Sequence, residues 1–354
     1  MKNEMLPSGS FRAAVLVKNH QPLEIAKVDF PRSLRSKQVL VKNHFSSICG
    51  SQLGEIDGKK GIDPYLPHLL GHEAVGTVIA IANDVNNVKV GETVVLHWMK
   101  GRGGQSSSHG VSSNIGDLNA GPVTTFSEFS VISENRCTPI DTKLPLENLS
   151  LFGCSITTAF GSLKNDAAIE ENDALLVLGL GALGMWTLEM SKLFNVSKVM
   201  GIDVLQNRVS RVLELGFESD QWNFEGDEPR KIESFVKESM DSRIVVIDTT
   251  GKIGVINRSF QWLNRRGVMV LVGVTPDGEK ITIDPMPLHF GVKLVGSFGG
   301  STSPEVDIPR LVELAEQEKY RINIMENSFF ELTEINDAIH LLRSGSTNKM
   351  NIRF

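Results

Sequence analysis

"DALLVLGLGALGMWTLEMSKLF", residues 173–194, decides how half of this chain must fold. Residues 174–178 form an unbroken apolar run, as a buried strand requires. Leu183, Trp186, Leu188 and Met190 then fall at helical spacing. Between them lies Gly179-x-Gly181-x-x-Gly184. A glycine at the first position permits a tight turn, one at the second lets backbone approach a pyrophosphate, and one at the third lets helix and strand pack closely. The helix start then offers free N–H groups and partial positive charge to phosphate. The glycine pattern is weak alone, but the strand–turn–helix context strengthens it. So does Asp203, 203 − 184 = 19 residues past the third glycine, at the distance of a ribose-binding carboxylate. A carboxylate accepts hydrogen bonds from two ribose hydroxyls and repels a 2′-phosphate, which favours NAD over NADP. Arg208 is a cation that could offset that repulsion.

Outward from this unit the alternation continues. "KVMGID" reads as a strand, "QNRVSRVLELGF" as a helix, and "RIVVIDTTG" and "GVMVLVGV" as two further strands with a helix between them. Strands alternating with helices predict a doubly wound parallel sheet, the Rossmann arrangement. Residues 11–155 have another texture. "RAAVLV", "QVLVKNHF", "AVGTVIAIA" and "ETVVLHW" are short strands bounded by turn residues, a barrel-like or sandwich-like β region. The C-terminal segment carries helices in "DIPRLVELAEQ" and "INDAIHLLRSG", and residues 100–117, rich in glycine and serine, read as a long loop.

Composition narrows the function classes. At 354 residues two domains are expected. A net charge of −6 argues against a nucleic-acid partner. Three widely spaced cysteines make no disulfide framework and fit a reducing compartment. The N-terminal residues lack a signal-peptide core, and the longest apolar stretch, 174–188, is too short and glycine-rich to span a bilayer. The expectation is a cytoplasmic protein with neither membrane nor nucleic acid as partner.

"LPHLLGHEAVGTV", residues 66–78, sets His72 and Glu73 at the mouth of a strand. With Cys49 and Cys154 it offers two thiolates and one imidazole, and Cys₂His with an open fourth position is a catalytic zinc pattern. The separations, 72 − 49 = 23 and 154 − 72 = 82, are too long for spacing to establish a site. Taken singly, each cysteine is more commonly a small buried hydrophobe.

Several motifs in order carry a resemblance: "CGS" at 49–51, "GHE" at 71–73, "VKVGETVV" at 88–95, "GCSITTAFG" at 153–161, "GLGALG" at 179–184, "VGV" at 272–274 and "GSFGG" at 296–300. The chain resembles, over nearly its whole length, the zinc-containing alcohol dehydrogenase family of the medium-chain dehydrogenase/reductase superfamily. The resemblance implies an α/β protein: a GroES-like β-barrel catalytic domain from residues 1–155 and 299–354, and an inserted NAD-binding Rossmann domain at 156–298, with the active site in the cleft. It implies one catalytic zinc on Cys49, His72 and Cys154, with Glu73 behind as an exchanging ligand. Ser51 matches the hydroxyl that accepts the substrate's proton, and Thr158 the position against which nicotinamide packs. Backbone around Val272 and Val274 matches the carboxamide site, and Lys349, with Arg353 as the alternative, the contact to pyrophosphate. It also implies a homodimer or homotetramer joined at the edge of the dinucleotide sheet, with "GVKLVGSF" as the contact.

The sequence departs from that pattern in places. Residues 97–136 contain no cysteine, so the structural zinc of many relatives has no ligands. Gln52 replaces an aspartate that orients the zinc-bound histidine, and Gly54 replaces the relay histidine, for which water or His44 is the substitute. Cys137 matches no ligand position. Lys100 and Arg102, with Trp98, point either to an anionic substrate, such as a phosphorylated polyol or sugar nucleotide, or to a solvated loop or subunit contact. The expected activity is zinc-dependent hydride transfer between an alcohol or polyol and NAD. The rivals are a zinc-free quinone or enoyl reductase of the same superfamily and a non-catalytic dinucleotide-binding protein.

Overall fold

The computed structural model describes residues 6–224, 226–325, 328–345 and 349–354. They form two compact units. The first comprises residues up to Cys154, Ser303–Gln317 and the C-terminal segment ending at Phe354; the second comprises Ser155–Thr302 and Glu318–Met325.

The first unit is built on antiparallel pairing. Strands Ser10–Leu16, Glu24–Asp29, His109–Ser113, Gly116–Ala120 and His68–Leu69 close into a barrel. A second, seven-stranded sheet runs in the order Cys137–Pro139, Thr93–Leu96, Ala74–Ile81, Gln38–Ile48, Met350–Arg353, Ser328–Glu331, with Phe129–Ser133 also paired to Gln38–Ile48. Gln38–Ile48 is thus the hub, and its Val39, Leu40, Val41 and Ile48 are all buried. Between the layers, Ala14, Leu16, Leu70, Phe126, Ile335, Met350 and Ile352 form one apolar cluster.

The stretch 100–117 is only partly a loop. His109–Ser113 and Gly116–Ala120 form a hairpin inside the barrel, paired from His109↔Ala120 to Ser113↔Gly116. Their serines, glycines and charged residues face outward while Leu118 and Ala120 are buried. Polar composition concealed the strands because only a minority of their side chains enters the core.

The second unit has the expected parallel sheet, in the order Glu218–Gln221, Lys198–Asp203, Ala174–Leu178, Ile244–Asp248, Val268–Leu271, Lys293–Gly296. Every pairing is parallel. The two central strands are buried at every residue, because helices cover both faces of such a sheet. Helix Ala182–Ser191 buries Met185, Trp186, Leu188 and Met190. Glu318–Met325 is held by Glu189, a carboxylate 1% exposed that accepts the Arg321 backbone N–H at 2.8 Å. Lys192 Nζ lies 2.8 Å from the same carboxylate, so its buried charge is matched.

Candidate functional site

Strand pairing assembles the metal-type cluster in the first unit. Gln38–Ile48 and Ala74–Ile81 are antiparallel with Ser46 opposite Ala74. The exit of one strand, at Cys49, therefore meets the entrance to the other, at His72 and Glu73. Gly71, at φ +91°, makes the bend before His72; an added Cβ there would sit 2.5 Å from Thr125 Oγ1 and 2.7 Å from the Phe126 nitrogen. Only glycine suits both demands. Cys154 arrives on the segment 150–153, where Ser150 Oγ bonds Ser47 Oγ at 2.7 Å. Gly153 lets that segment press on strand Thr93–Leu96, since a Cβ would stand 2.2 Å from the Leu96 oxygen.

One ligand atom from each of Cys49, His72 and Cys154 lies within 4.8 Å of the others. The two Sγ atoms are 4.0 Å apart. His72 Nε2 is buried and makes no hydrogen bond. The two thiols are coupled: the contact with Cys154 draws the Cys49 pKa well below the thiol range, with the nearby His72 ring adding to the effect. The same contact, with burial, pushes Cys154 well above it.

Glu73 and Lys349 lie behind these groups, 0% and 1% exposed in their side chains, with Nζ 2.5 Å from Oε1. Burial raises the Glu73 pKa while the ammonium opposes the rise. For Lys349 burial disfavours the charge, but the Glu73 carboxylate together with Cys49 and Cys154 outweighs it and the pKa ends above the usual lysine value. Glu73 Oε2 is buried without a hydrogen-bond partner. The expectation of a pyrophosphate contact at Lys349 therefore meets a lysine whose ammonium is buried against Glu73. Its partner lies 276 positions away and no local sequence signal announces it. Arg353 instead pairs its Nε with Glu331 Oε1 at 2.6 Å.

Ser51 lies in the first turn of helix Gly50–Ile56, two residues past Cys49. Gln52, 2% exposed, joins both arms of the cluster: its Oε1 accepts the Cys49 N–H at 3.0 Å and its Nε2 contacts His72 Nδ1. Truncating Gln52 to alanine removes both restraints, and metal affinity is expected to fall by roughly 10- to 100-fold, as for other groups that orient a ligand. Competition against a chromophoric chelator measures this, with Gln52→Glu as the variant that retains a hydrogen-bond acceptor. His44 stands apart from the cluster's hydrogen bonds, with its Nε2 on Thr77 Oγ1 at 2.8 Å.

The 97–108 loop is anchored rather than free. Glu134 accepts the Gly104 N–H at 2.8 Å, and Gly101 N–H donates to the Asn135 oxygen at 2.9 Å. Lys100 and Arg102 are exposed. Trp98 is placed by the same loop with its ring centroid 6.4 Å from that of His72.

In the second unit the glycine turn is as tight as its spacing requires. A Cβ on Gly184 would lie 1.8 Å from the Gly179 oxygen, whereas one on Gly181 would meet only Arg208 Nη1, at 3.9 Å. Asp203, 6% exposed, ends its strand beside this turn. Its Oδ2 accepts the Leu180 N–H at 2.6 Å and its Oδ1 the Leu205 N–H at 2.9 Å. Arg208 Nη1 is 3.4 Å from Oδ2. Thr158 Oγ1 is buried without a partner. The Val272 and Gly273 N–H groups both donate to the Asp248 oxygen, and Val274 is largely exposed.

Comparison with known proteins agrees with this architecture. Residues 35–142 match the family model described as the alcohol dehydrogenase GroES-like domain, and residues 182–317 the one described as zinc-binding dehydrogenase. Among solved structures, an alcohol dehydrogenase zinc-binding domain protein from Burkholderia ambifaria superposes with a TM-score of 0.86 at 24% identity, covering 98% of this chain and 100% of its own. Benzyl alcohol dehydrogenase from Acinetobacter calcoaceticus gives 0.85 at 24% identity, covering 98% and 99%. A protein described as a short chain alcohol dehydrogenase from Escherichia coli, complexed with cofactor NADH, gives 0.78 at 18%, also covering 98% and 99%. These likenesses establish the fold. A GroES-like barrel unit and a dinucleotide-type parallel sheet in one chain define a medium-chain dehydrogenase/reductase. Within that class the chain belongs to the zinc-containing alcohol dehydrogenase family.

Proposed function

We propose that this protein is an NAD-dependent, zinc-assisted dehydrogenase that interconverts an alcohol or polyol and the matching carbonyl compound. The observation that carries the reading is the convergence of Cys49, His72 and Cys154 within 4.8 Å. The donors fit zinc: two Zn–S bonds of ~2.3 Å at a tetrahedral angle set their sulfurs ~3.8 Å apart. The 4.0 Å found here is close to that, and the buried Nε2 of His72 is left without a hydrogen bond. Cys49, His72 and Cys154 would hold the ion, with Glu73 Oε2 as the exchanging ligand. Bound there, zinc supplies a Lewis acid that favours an alkoxide over an alcohol and polarises a carbonyl in the reverse direction.

The chain's own residues do the rest. Ser51 Oγ takes the hydroxyl proton of the substrate and passes it outward. Gln52 keeps the His72 ring oriented, and the Lys349 ammonium balances the buried Glu73 carboxylate. Asp203, fixed by two backbone N–H groups, accepts hydrogen bonds from the adenosine ribose hydroxyls. The turn from Gly179 to Gly184 would hold the pyrophosphate, and Thr158, whose buried Oγ1 has no partner, would contact the nicotinamide. NAD⁺ bound there would supply the hydride acceptor for alcohol oxidation, so no other oxidant would be needed. A dimer or tetramer formed at the free edge of Lys293–Gly296 completes the reading.

The test is a screen of alcohols, polyols and polyol phosphates that follows reduced-nicotinamide absorbance with NAD⁺ and with NADP⁺. Turnover with NAD⁺ that a strong chelator abolishes and added Zn²⁺ restores is the expected result. Chelator-resistant reduction of alkenes with NADPH would instead identify the zinc-free reductase.

A further inference from the structure

A second group of ligand-type side chains lies elsewhere in the first unit. Glu55, Asp63 and His68 bring one ligand atom each to within 4.8 Å of the others. His68 Nε2 is 2.9 Å from Asp63 Oδ2 and 3.7 Å from Glu55 Oε1. The imidazole side chain is only 9% exposed, and the two carboxylates 15% and 31%. The other nitrogen is committed, since Nδ1–H donates to the Leu69 oxygen at 2.9 Å. Nε2 is therefore the nitrogen that faces the two carboxylate oxygens, the three ligand-type atoms converging on one point. The outer oxygens are taken: Asp63 Oδ1 accepts the Tyr65 N–H at 2.9 Å, and Lys60 Nζ lies 3.3 Å from Glu55 Oε2. Two carboxylates thus share one lysine.

We propose that Glu55, Asp63 and His68 form a second divalent-cation site, for Zn²⁺ or a metal of similar ligand preference. Donors ~2.0–2.1 Å from one ion in tetrahedral geometry stand ~3.3 Å apart, and the two measured separations bracket that value. One imidazole and two carboxylates suit borderline transition metals and leave positions for water. The site shares no residue with the cysteine cluster and does not depend on the dehydrogenase reading. It bears on that reading through the chain path. Glu55 sits on the helix that begins at Cys49 and carries Ser51 and Gln52, and His68 precedes His72 by four residues. An ion here ties together the two segments that present Cys49 and His72.

The test uses the full-length protein stripped by chelation, reloaded with Zn²⁺ or Co²⁺, dialysed and analysed for metal per chain. Two equivalents are expected in the wild type, one in Asp63→Asn and one in Cys154→Ser. In the cobalt form of Asp63→Asn the thiolate-to-metal absorption should persist, and in Cys154→Ser it should be lost while one equivalent remains. Glu55→Gln, at a more exposed position, serves as the second variant should Asp63→Asn fold poorly by circular dichroism. A wild type that holds one equivalent, lost in Cys154→Ser, overturns the proposal and leaves an imidazolium held between two carboxylates. Stoichiometry unchanged by both Asp63→Asn and Glu55→Gln overturns it as well. One equivalent that survives Cys154→Ser but not Asp63→Asn supports this site and sinks the catalytic-zinc reading instead.

Discussion

Replacing Cys154 with serine is expected to empty the cysteine–histidine cluster and lower turnover by roughly 1,000-fold, while the protein stays folded. A serine hydroxyl is nearly isosteric with the thiol but a poor zinc ligand, so the loss falls on the metal rather than on packing. Lewis-acid stabilisation amounts to several kcal/mol, and each 1.4 kcal/mol is tenfold in rate. The measurement pairs metal content of the cobalt form with kcat on the best alcohol found in the screen. Cys137→Ser is the control. That thiol is pushed up to about 12 by burial, and its sulfur contacts the Glu134 oxygen at 3.6 Å. It neither ionises nor meets the cluster, and its replacement should leave metal content and turnover unchanged. Equal losses in the two variants would mean that Cys154 acts only through the core.

The second large effect is expected at Gly184. An added methyl would stand 1.8 Å from the Gly179 oxygen, well inside van der Waals contact, and backbone is what blocks it. Helix Ala182–Ser191 must then lift from the strand Ala174–Leu178, at a cost of about 3 kcal/mol. Displacing the turn by even an ångström can cost roughly 100-fold in the reaction it positions. Gly181→Ala should separate the two effects. Gly181 has φ −70° and open space, so the change costs the fold under about 1 kcal/mol. On the proposed reading the methyl would occupy the surface left open for a pyrophosphate, and NADH affinity should fall at least about tenfold. Denaturant melts and fluorescence titration of NADH measure the pair. Tight NADH binding by Gly184→Ala would refute the role given to this turn.

Legibility in the sequence followed the range of each interaction. The glycine turn could be read because its three demands fall within six consecutive residues, between an apolar run and a helical period. Strand Glu218–Gln221 could not, since "ESDQ" at a sheet edge buries only Ser219. The types of residue at Cys49, His72 and Cys154 suggested zinc, but their convergence depends on the Ser46–Ala74 register and on the approach of Gly153 to Leu96. Neither is written in local spacing. The Glu73–Lys349 pair and the Glu55–Asp63–His68 cluster fall in the same category. Glu73 reads in sequence as a metal ligand and Lys349 as a phosphate contact, and only the fold brings the two together.

Strand Met350–Arg353 fills the slot between Gln38–Ile48 and Ser328–Glu331. During synthesis the central strand of the barrel unit therefore stays incompletely paired until Met350–Arg353 has emerged. The parallel-sheet unit, encoded almost wholly before that point, is free to form first. Docking of Met350–Arg353 carries Lys349 to Glu73, so the buried carboxylate beside the cysteines gains its counter-charge late.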